Sequence, residues 1–152
     1  MFRNLLARIL NDSPDAPALD RDDAELAIAA LMIRVARSDD RYAEIEQAQI
    51  DRILTRRGRV GGAEAGERRA AAEMIEAEAP DTVRLTRALK ERVPLEDRIA
   101  VVSSLWEVVY ADGHRSPDED ATVRLICGLI GVGDRDSNLA RQRVLDALGT
   151  TG

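Results

Sequence analysis

The strongest constraint on the fold is a pattern that occurs twice, with an offset of 73 residues (112 − 39 = 73). Each copy consists of an apolar helix, an aspartate at its end, a glutamate seven residues later and a second apolar helix. Asp112 and Glu119 in the later copy correspond to Asp39 and Glu46 in the earlier one. The apolar positions correspond as well: Val101, Leu105 and Val108 match Ile28, Met32 and Val35. Neither helix–turn–helix hairpin can bury its apolar face alone, so we expect the two to pack together about a pseudo-twofold axis.

The remaining segments also have the apolar spacing of helices, and none alternates apolar and polar residues as a strand does. Aromatic residues make up only 3% of the chain, so its core has to be built from Leu, Ile, Val and Ala. We therefore predict an all-α fold, a bundle of about seven to eight helices. The range 22–38 is apolar nearly all round, and we expect it to be central. The predicted helices are 2–10, 22–38, 43–58, 64–78, 82–91, 95–111, 117–130 and 134–148.

The chain divides into an N-terminal helix with its linker, residues 1–20, and a helical domain, residues 21–152, with repeated halves at about 22–58 and 95–131. Residues 2–10 combine apolar residues at helical spacing with two arginines, a pattern that also suits a membrane surface. Because the segment is short for that purpose, we expect it to dock on its own bundle or on a neighbouring subunit. Membrane association through this segment and a homodimer both stay open. Asp20 is the expected cap of the next helix.

The charge balance and the cysteine count exclude several classes of function. A net charge of −6 repels a phosphate backbone, so nucleic acid is not an expected partner. Cys127 is the single cysteine, so no disulfide can form within the chain, and a reducing compartment is the simplest expectation. No apolar run is long enough for a membrane span, and we expect a cytoplasmic protein.

The two acidic turns are the candidate functional sites, although capping explains part of the later one. Ser116-Pro117-Asp118-Glu119 has the form of a capping box, and Gly113 suits the end of the preceding helix. Capping does not explain Asp112 or Asp39, because an acid at a helix C-terminus faces the negative end of the helix dipole.

If the two hairpins are related by a twofold axis, the turns converge and gather Asp39, Glu46, Asp112 and Glu119. Such a cluster of carboxylates suits a hard cation, Ca²⁺ or Mg²⁺, and these four residues are the predicted metal ligands. The later turn is not an EF-hand, because the twelfth position counted from Asp112 holds Val123 rather than Glu. Solvated capping turns without a metal are the alternative interpretation.

The other chemistry-bearing residues have structural explanations. His114 is the only histidine, and no Ser or Cys nucleophile is indicated beside it. Cys127 and Trp106 fall on the inward faces of their helices, and Arg56-Arg57 and Arg68-Arg69 are flanked by acids, which is typical of solvated faces. We therefore expect no catalytic residue and no cofactor other than Ca²⁺ or Mg²⁺. Further residues expected to face inward are Ile45, Met74, Leu139 and Leu148.

Taken together, these residues resemble the TerB family, the tellurite-resistance B-like domains, and especially its small stand-alone bacterial members. The most specific motif is the run Leu105-Trp106-Glu107-Val108-Val109-Tyr110-Ala111-Asp112-Gly113, and residues 35–39 and 133–136 also fit. The resemblance implies an all-helical pseudo-twofold bundle with a role in metal- or stress-related responses. It also implies that Asp39, Glu46, Asp112 and Glu119, which match the acidic motif of the family, bind a cation. The chain departs from that motif at Asp40, Ala43, Arg115 and Ser116.

The favoured function is therefore a non-enzymatic module of a stress- or metal-response assembly that makes protein–protein contacts through an acidic surface. The alternative is a divalent-cation sensor that uses the paired acidic turns. An enzyme would need His114 in a cleft beside a carboxylate with a perturbed pKa. The sequence leaves open the protein partner and any involvement in tellurite resistance itself.

Overall fold

One helix, α1 (Arg21–Ala36), runs through the middle of the protein. The computed structural model describes residues 5–6, 20–113 and 116–149. Between Ala24 and Ala36, every residue except Glu25 and Arg34 is buried. A helix that is apolar on nearly all sides has to be surrounded, and α1 is in contact with five neighbouring helices. The predicted central position of this helix is confirmed.

The described part of the chain holds six further long α-helices and no β-strand. Helix α1 contacts α2 to α6, while α7 packs mainly on α5. The predicted all-α bundle is confirmed. Each of these predicted helices begins and ends within two residues of the corresponding observed helix. The pseudo-twofold relation between the hairpins stays a prediction. The six helices are α2 (Glu44–Gly58), α3 (Gly62–Glu78), α4 (Thr82–Arg92), α5 (Leu95–Val109), α6 (Pro117–Leu129) and α7 (Asp134–Ala147).

Side-chain caps fix where the helices begin. The N–H of Asp23 donates to Oδ1 of Asp20 at 2.8 Å, and the N–H of Asp20 donates back to Oδ2 of Asp23 at 3.2 Å. At the start of α6, the N–H of Glu119 donates to Oγ of Ser116 at 3.3 Å. Because each cap satisfies an amide that the helix itself leaves unpaired, the predicted caps Asp20 and Ser116 set the first turns of α1 and α6.

Little of the predicted N-terminal helix falls within the described residues. Leu5 and Leu6 are helical, Leu5 is fully buried in the core, and Leu6 packs partly buried against it. This placement of Leu5 agrees with the expectation that the segment docks on its own bundle. The rest of residues 2–10 and the linker that follows lie outside the described residues. None of the helices that were described is long and apolar enough to cross a membrane.

Four residues that were expected to face inward do not. The exposed fractions of Ile45, Met74, Leu139 and Leu148 are 48%, 59%, 46% and 56%. In α3, small Ala65 and Ala72 form the buried face together with Ile75, and in α7 the buried face falls on Ala140, Val144 and Leu145. Both buried faces combine small residues with large apolar ones, so the size of an apolar side chain alone did not show which face is inward.

Candidate functional site

The two acidic turns share one backbone conformation. In the first, the short 3₁₀ helix Arg37–Asp39 follows α1, and the N–H of Asp40 donates to the carbonyl oxygen of Arg37 at 3.1 Å. In the second, the N–H of Gly113 donates to the carbonyl oxygen of Tyr110 at 3.2 Å. These bonds join corresponding residues of the repeat, since 110 − 37 and 113 − 40 both equal 73. The repeat seen in the sequence therefore extends to the hydrogen bonding of its turns.

A hydroxyl contact joins the first turn to the helix that follows the second turn. Oγ of Ser38 lies 2.6 Å from Oγ1 of Thr122 on α6. The oxygen of Ser38 also lies 2.8 Å from the carbonyl oxygen of Arg34, and that of Thr122 lies 3.0 Å from the carbonyl oxygen of Asp118. The start of α6 is thereby held beside the end of α1.

The four predicted acidic residues come together in two layers. Glu46 and Glu119 are each the third residue of their helices, α2 and α6, and each is only 2% exposed. Asp39 is partly buried and Asp112 is exposed. The inner layer is therefore a pair of buried glutamates, and the outer layer is a pair of aspartates at the ends of the preceding helices.

The inner pair is a contact between two carboxyl groups. Oε1 of Glu46 accepts a hydrogen bond from the N–H of Ala43 at 3.3 Å, and the carboxyl group of Glu46 lies against that of Glu119. Two carboxyl groups share a hydrogen bond only when one of them carries a proton. No backbone or side-chain donor with a proton of its own reaches the buried Oε2 of Glu46 in the described residues. A proton on Glu119, or a cation, is what can neutralise this oxygen.

The electrostatics of the site favour one retained proton. Burial raises the pKa of Glu46, and burial together with the contact to Glu46 raises the pKa of Glu119 to about 9. The charges of Asp39 and Asp112 raise the pKa of both glutamates further. Because both pKa values are raised, the pair favours holding one proton between its two carboxyl groups.

The structure corrects part of the capping interpretation. Ser116 is the cap of α6, as predicted, but the returning half of the predicted capping box, from the N–H of Ser116 to Glu119, is not seen in the described residues. The carboxyl group of Glu119 lies against Glu46 instead. The structure also explains in part why an acid is found at the C-terminal end of α1. Oδ1 of Asp39 accepts a hydrogen bond from the N–H of Arg41 at 3.0 Å. Such a bond stabilises the turn locally and offsets the unfavourable position at a helix end.

The donor atoms of the site suit a hard cation, but their arrangement is incomplete. Carboxylate oxygens are the ligands that Ca²⁺ and Mg²⁺ prefer, and Oε2 of Glu46 is a buried acceptor that such an ion would satisfy. Within residues 5–6, 20–113 and 116–149, however, no three Asp, Glu, His or Cys side chains are grouped closely enough to hold a metal ion. In this arrangement Glu46 and Glu119 are the candidate ligands, while Asp39 and Asp112 are nearby charges.

Both acidic turns lie within a recognisable family domain. Residues 25–142 match the family model described as tellurite resistance protein TerB, a span of well over half of the 152-residue chain. The chain belongs to the TerB family. Comparisons with curated proteins and with solved structures found no match. The family resemblance predicted from the sequence is confirmed, and Glu46 and Glu119 lie within the matched range.

Trp106, in the most specific TerB-like motif, is part of the core, as predicted. Trp106 and Cys127 are 1% and 2% exposed. Both reach the same buried hydroxyl: Nε1 of Trp106 donates to Oγ of Ser137 at 3.2 Å, and Sγ of Cys127 lies 3.5 Å from it. Burial raises the pKa of the Cys127 thiol, so the thiol stays protonated and is a poor nucleophile. His114 lies outside the described residues.

Two arginines of this TerB domain, which the sequence analysis expected to be solvated, form ion pairs between helices. Arg57 forms two hydrogen bonds to Glu25, both 3.1 Å long, and Arg69 is bonded to Asp51 at 2.7 Å and to Glu73 at 2.6 Å. These ion pairs join α2 to α1 and α3 to α2, so the two arginines are not simply solvated. The only signal in the sequence was acidic residues on helices far apart in the chain, and their pairing requires the fold to be known.

Proposed function

We propose that this TerB-family protein binds a divalent cation where its two acidic turns meet, and that it does so as a non-enzymatic module. The observation that supports the proposal is the burial of Glu46 against Glu119, with one oxygen of Glu46 left without a fixed donor. Burying two carboxyl groups side by side costs stability, and capping a helix does not require it. A site that exchanges a proton for a cation accounts for this cost.

Each of the four acids has a distinct part in this proposal. Glu46 and Glu119 are the ligands, because their oxygens already face each other. Asp39 and Asp112 lie on the outer side and add negative potential that attracts a cation. Ca²⁺ and Mg²⁺ are the expected ions, since a set of carboxylate oxygens without nitrogen or sulfur suits hard cations.

Thermal unfolding with and without added CaCl₂ or MgCl₂ tests the proposal. An ion at about 100 times its Kd stabilises the folded state by about 2.7 kcal/mol, which is roughly 5–10 °C in melting temperature for a chain of this size. This ion-dependent rise in melting temperature should vanish in Glu119→Gln. It should persist in Glu67→Gln, which removes one exposed carboxylate from α3 and serves as the matched control. No rise in the parent protein, or an equal rise in Glu119→Gln, contradicts cation binding at the pair.

A protein–protein contact through the acidic end is the second candidate. Asp40, Glu44, Asp112 and Asp118 are all exposed around the glutamate pair, which favours a basic partner surface. The sequence favours this function, whereas the buried glutamate pair favours cation binding, and we therefore place the cation first. Glu44→Lys with Asp118→Lys would abolish a contact of this kind and leave the ligands Glu46 and Glu119 in place. Binding of a partner that survives this charge reversal would exclude the acidic end as its contact surface.

A further inference from the structure

A second charged site lies at the opposite end of α1 from the acidic turns. Helix α1 begins there at Arg21, and α2 ends there at Gly58. The 16 residues of α1 separate this end from the acidic turns by roughly 24 Å, at about 1.5 Å per residue. The site is therefore distinct from the glutamate pair and goes beyond the proposed cation binding.

Two adjoining cavities form a polar groove at this end. The first has a volume of about 440 Å³ and is lined by Arg21, Arg57 and Arg92, among other residues. The second, of about 600 Å³, shares Arg21 and Arg57 with the first and adds Arg59 and Arg68. Cavities of this size are typical of small-molecule sites.

The groove is positively charged in a protein whose net charge is −6. Its lining holds five arginines and three acids, Asp22, Glu25 and Asp97, which gives a local charge of +2 (5 − 3 = 2). Glu25 already neutralises Arg57, and Glu64 pairs with Arg68 at 3.3 Å. Arg21, Arg59 and Arg92 are exposed and take part in none of the ion pairs formed among the described residues. Three guanidinium groups are thus available to a ligand.

The backbone of the groove is adapted to hold these arginines together. A Cβ atom added to Gly58 would lie 2.8 Å from Nη1 of Arg68, so the glycine leaves the space that this guanidinium occupies. The next residue, Arg59, has a φ of 52°, a left-handed conformation that is costly for a residue with a side chain. The first turns of α1 and α5 also border the groove, through Arg21 and Asp97.

We propose that this groove binds a phosphate-bearing small molecule. A guanidinium group matches the geometry of a phosphate with two parallel hydrogen bonds, and several such groups around one cavity select a multiply charged oxyanion. No aromatic side chain occurs among the residues that line the two cavities, so a nucleobase would find no stacking partner. Recognition therefore rests on the phosphate groups, and a diphosphate is bound more tightly than a single phosphate.

Titration calorimetry with inorganic phosphate and with pyrophosphate, at an ionic strength held constant with NaCl, tests the proposal. We expect saturable binding with pyrophosphate the tighter ligand. Replacing the two exposed arginines of the first cavity, Arg21→Gln with Arg92→Gln, should weaken pyrophosphate binding at least about tenfold, because each charge-assisted bond contributes more than a neutral one. Arg135→Gln with Arg143→Gln is the matched control. It removes the same charge from exposed positions on α7 and should bind like the parent protein.

Two further variants separate the possible outcomes. Arg59→Gln should also weaken binding, and it tests the second cavity if the double variant fails to fold. Glu119→Gln should leave pyrophosphate binding unchanged, so that failure of the cation site and failure of this groove are distinguishable. Absence of saturable binding, or equal loss in the α7 control, would show that no phosphate site exists here.

Discussion

Asp40 and Gly113 lie 73 residues apart (113 − 40 = 73) and occupy the same place in the two acidic turns. Both have a left-handed backbone, with φ values of 62° and 76°. Glycine adopts this conformation at little cost, whereas a residue with a Cβ atom is strained in it, and aspartate is among the better tolerated. The first turn therefore carries a strain that the second avoids.

This difference predicts opposite effects of two substitutions. Asp40→Gly should leave the free energy of unfolding unchanged or raise it by up to about 1 kcal/mol, because relief of strain competes with the greater freedom of an unfolded glycine. Gly113→Ala should lower it by about 1–2 kcal/mol. Urea denaturation of both variants measures the two effects. Marked destabilisation by Asp40→Gly would mean that the carboxylate of Asp40 stabilises the turn.

The glutamate pair predicts a pH dependence of stability. The pKa of Glu119 is raised from its ordinary value of 4.5 to about 9, so between these values the folded protein holds a proton that the unfolded chain has released. Stability from this group is present below pH 4.5 and falls as pH rises towards about 9, with a slope that reaches about 1.4 kcal/mol per pH unit for one proton. Urea denaturation across this pH range measures the slope.

Glu119→Gln is the control for this pH dependence. The amide of glutamine has the shape of the protonated carboxyl group and can donate permanently to Glu46, so the variant should fold and lose this part of the slope. The raised pKa of Glu46 contributes in the same direction, so some slope remains. An unchanged slope in Glu119→Gln would show that Glu119 ionises in the folded protein as it does in the unfolded chain.

Ser137 is predicted to stabilise the packing of α7 on α5. Ser137→Ala removes the acceptor of the buried Trp106 N–H, and an unsatisfied buried donor costs about 1–3 kcal/mol. The free energy of unfolding should fall by that amount, and it can be followed by the fluorescence of Trp106, the single tryptophan. Asn138→Ala, at the exposed neighbouring position, should cost much less. Equal effects of the two substitutions would exclude a special role for the hydrogen bond.

Arg34 is predicted to hold the end of α3 against α1 in a way that lysine cannot. Its guanidinium group donates to the carboxylate of Glu76 at 3.1 Å, to the carbonyl oxygens of Glu76 and Ala79 at 3.0 and 3.2 Å, and to Oγ1 of Thr82 at 3.3 Å. Arg34→Lys keeps the charge but loses the planar set of donors, and we expect a loss of about 1–3 kcal/mol. Thermal unfolding of Arg34→Lys measures this loss of stability, and Arg52→Lys, at an exposed position, is the control. A melting temperature like that of the parent would contradict this role.

Most of the fold could be predicted because its signals are local. Apolar spacing and the caps Asp20 and Ser116 located the helices, and the match of Asp39–Glu46 to Asp112–Glu119 predicted that the turns correspond. Residues such as Met74 and Leu139 were placed wrongly because other residues of the same helices, small and large, form the inner faces. Local spacing does not show which face of such a helix meets a neighbour.

The candidate site was predicted only in part, because its properties depend on contacts between distant segments. The sequence indicated Glu119 both as a helix cap and as a candidate ligand, but it did not show that Glu119 is buried against Glu46, because that burial depends on how α2 and α6 pack. The arginine groove was missed for the same reason. Arg21, Arg57 and Arg92 come from three helices, and nothing in the local sequence of any one of them indicates a shared cavity.

We propose that Glu46 and Glu119 share a proton that a divalent cation replaces. Calorimetric titration with CaCl₂ and MgCl₂ at pH 7, repeated in buffers with different enthalpies of ionisation, counts the protons released per ion bound. We predict saturable binding of at least one of the two ions with release of about one proton, and no such release from Glu119→Gln. Binding without proton release, or no binding of either ion at millimolar concentration, would contradict the claim.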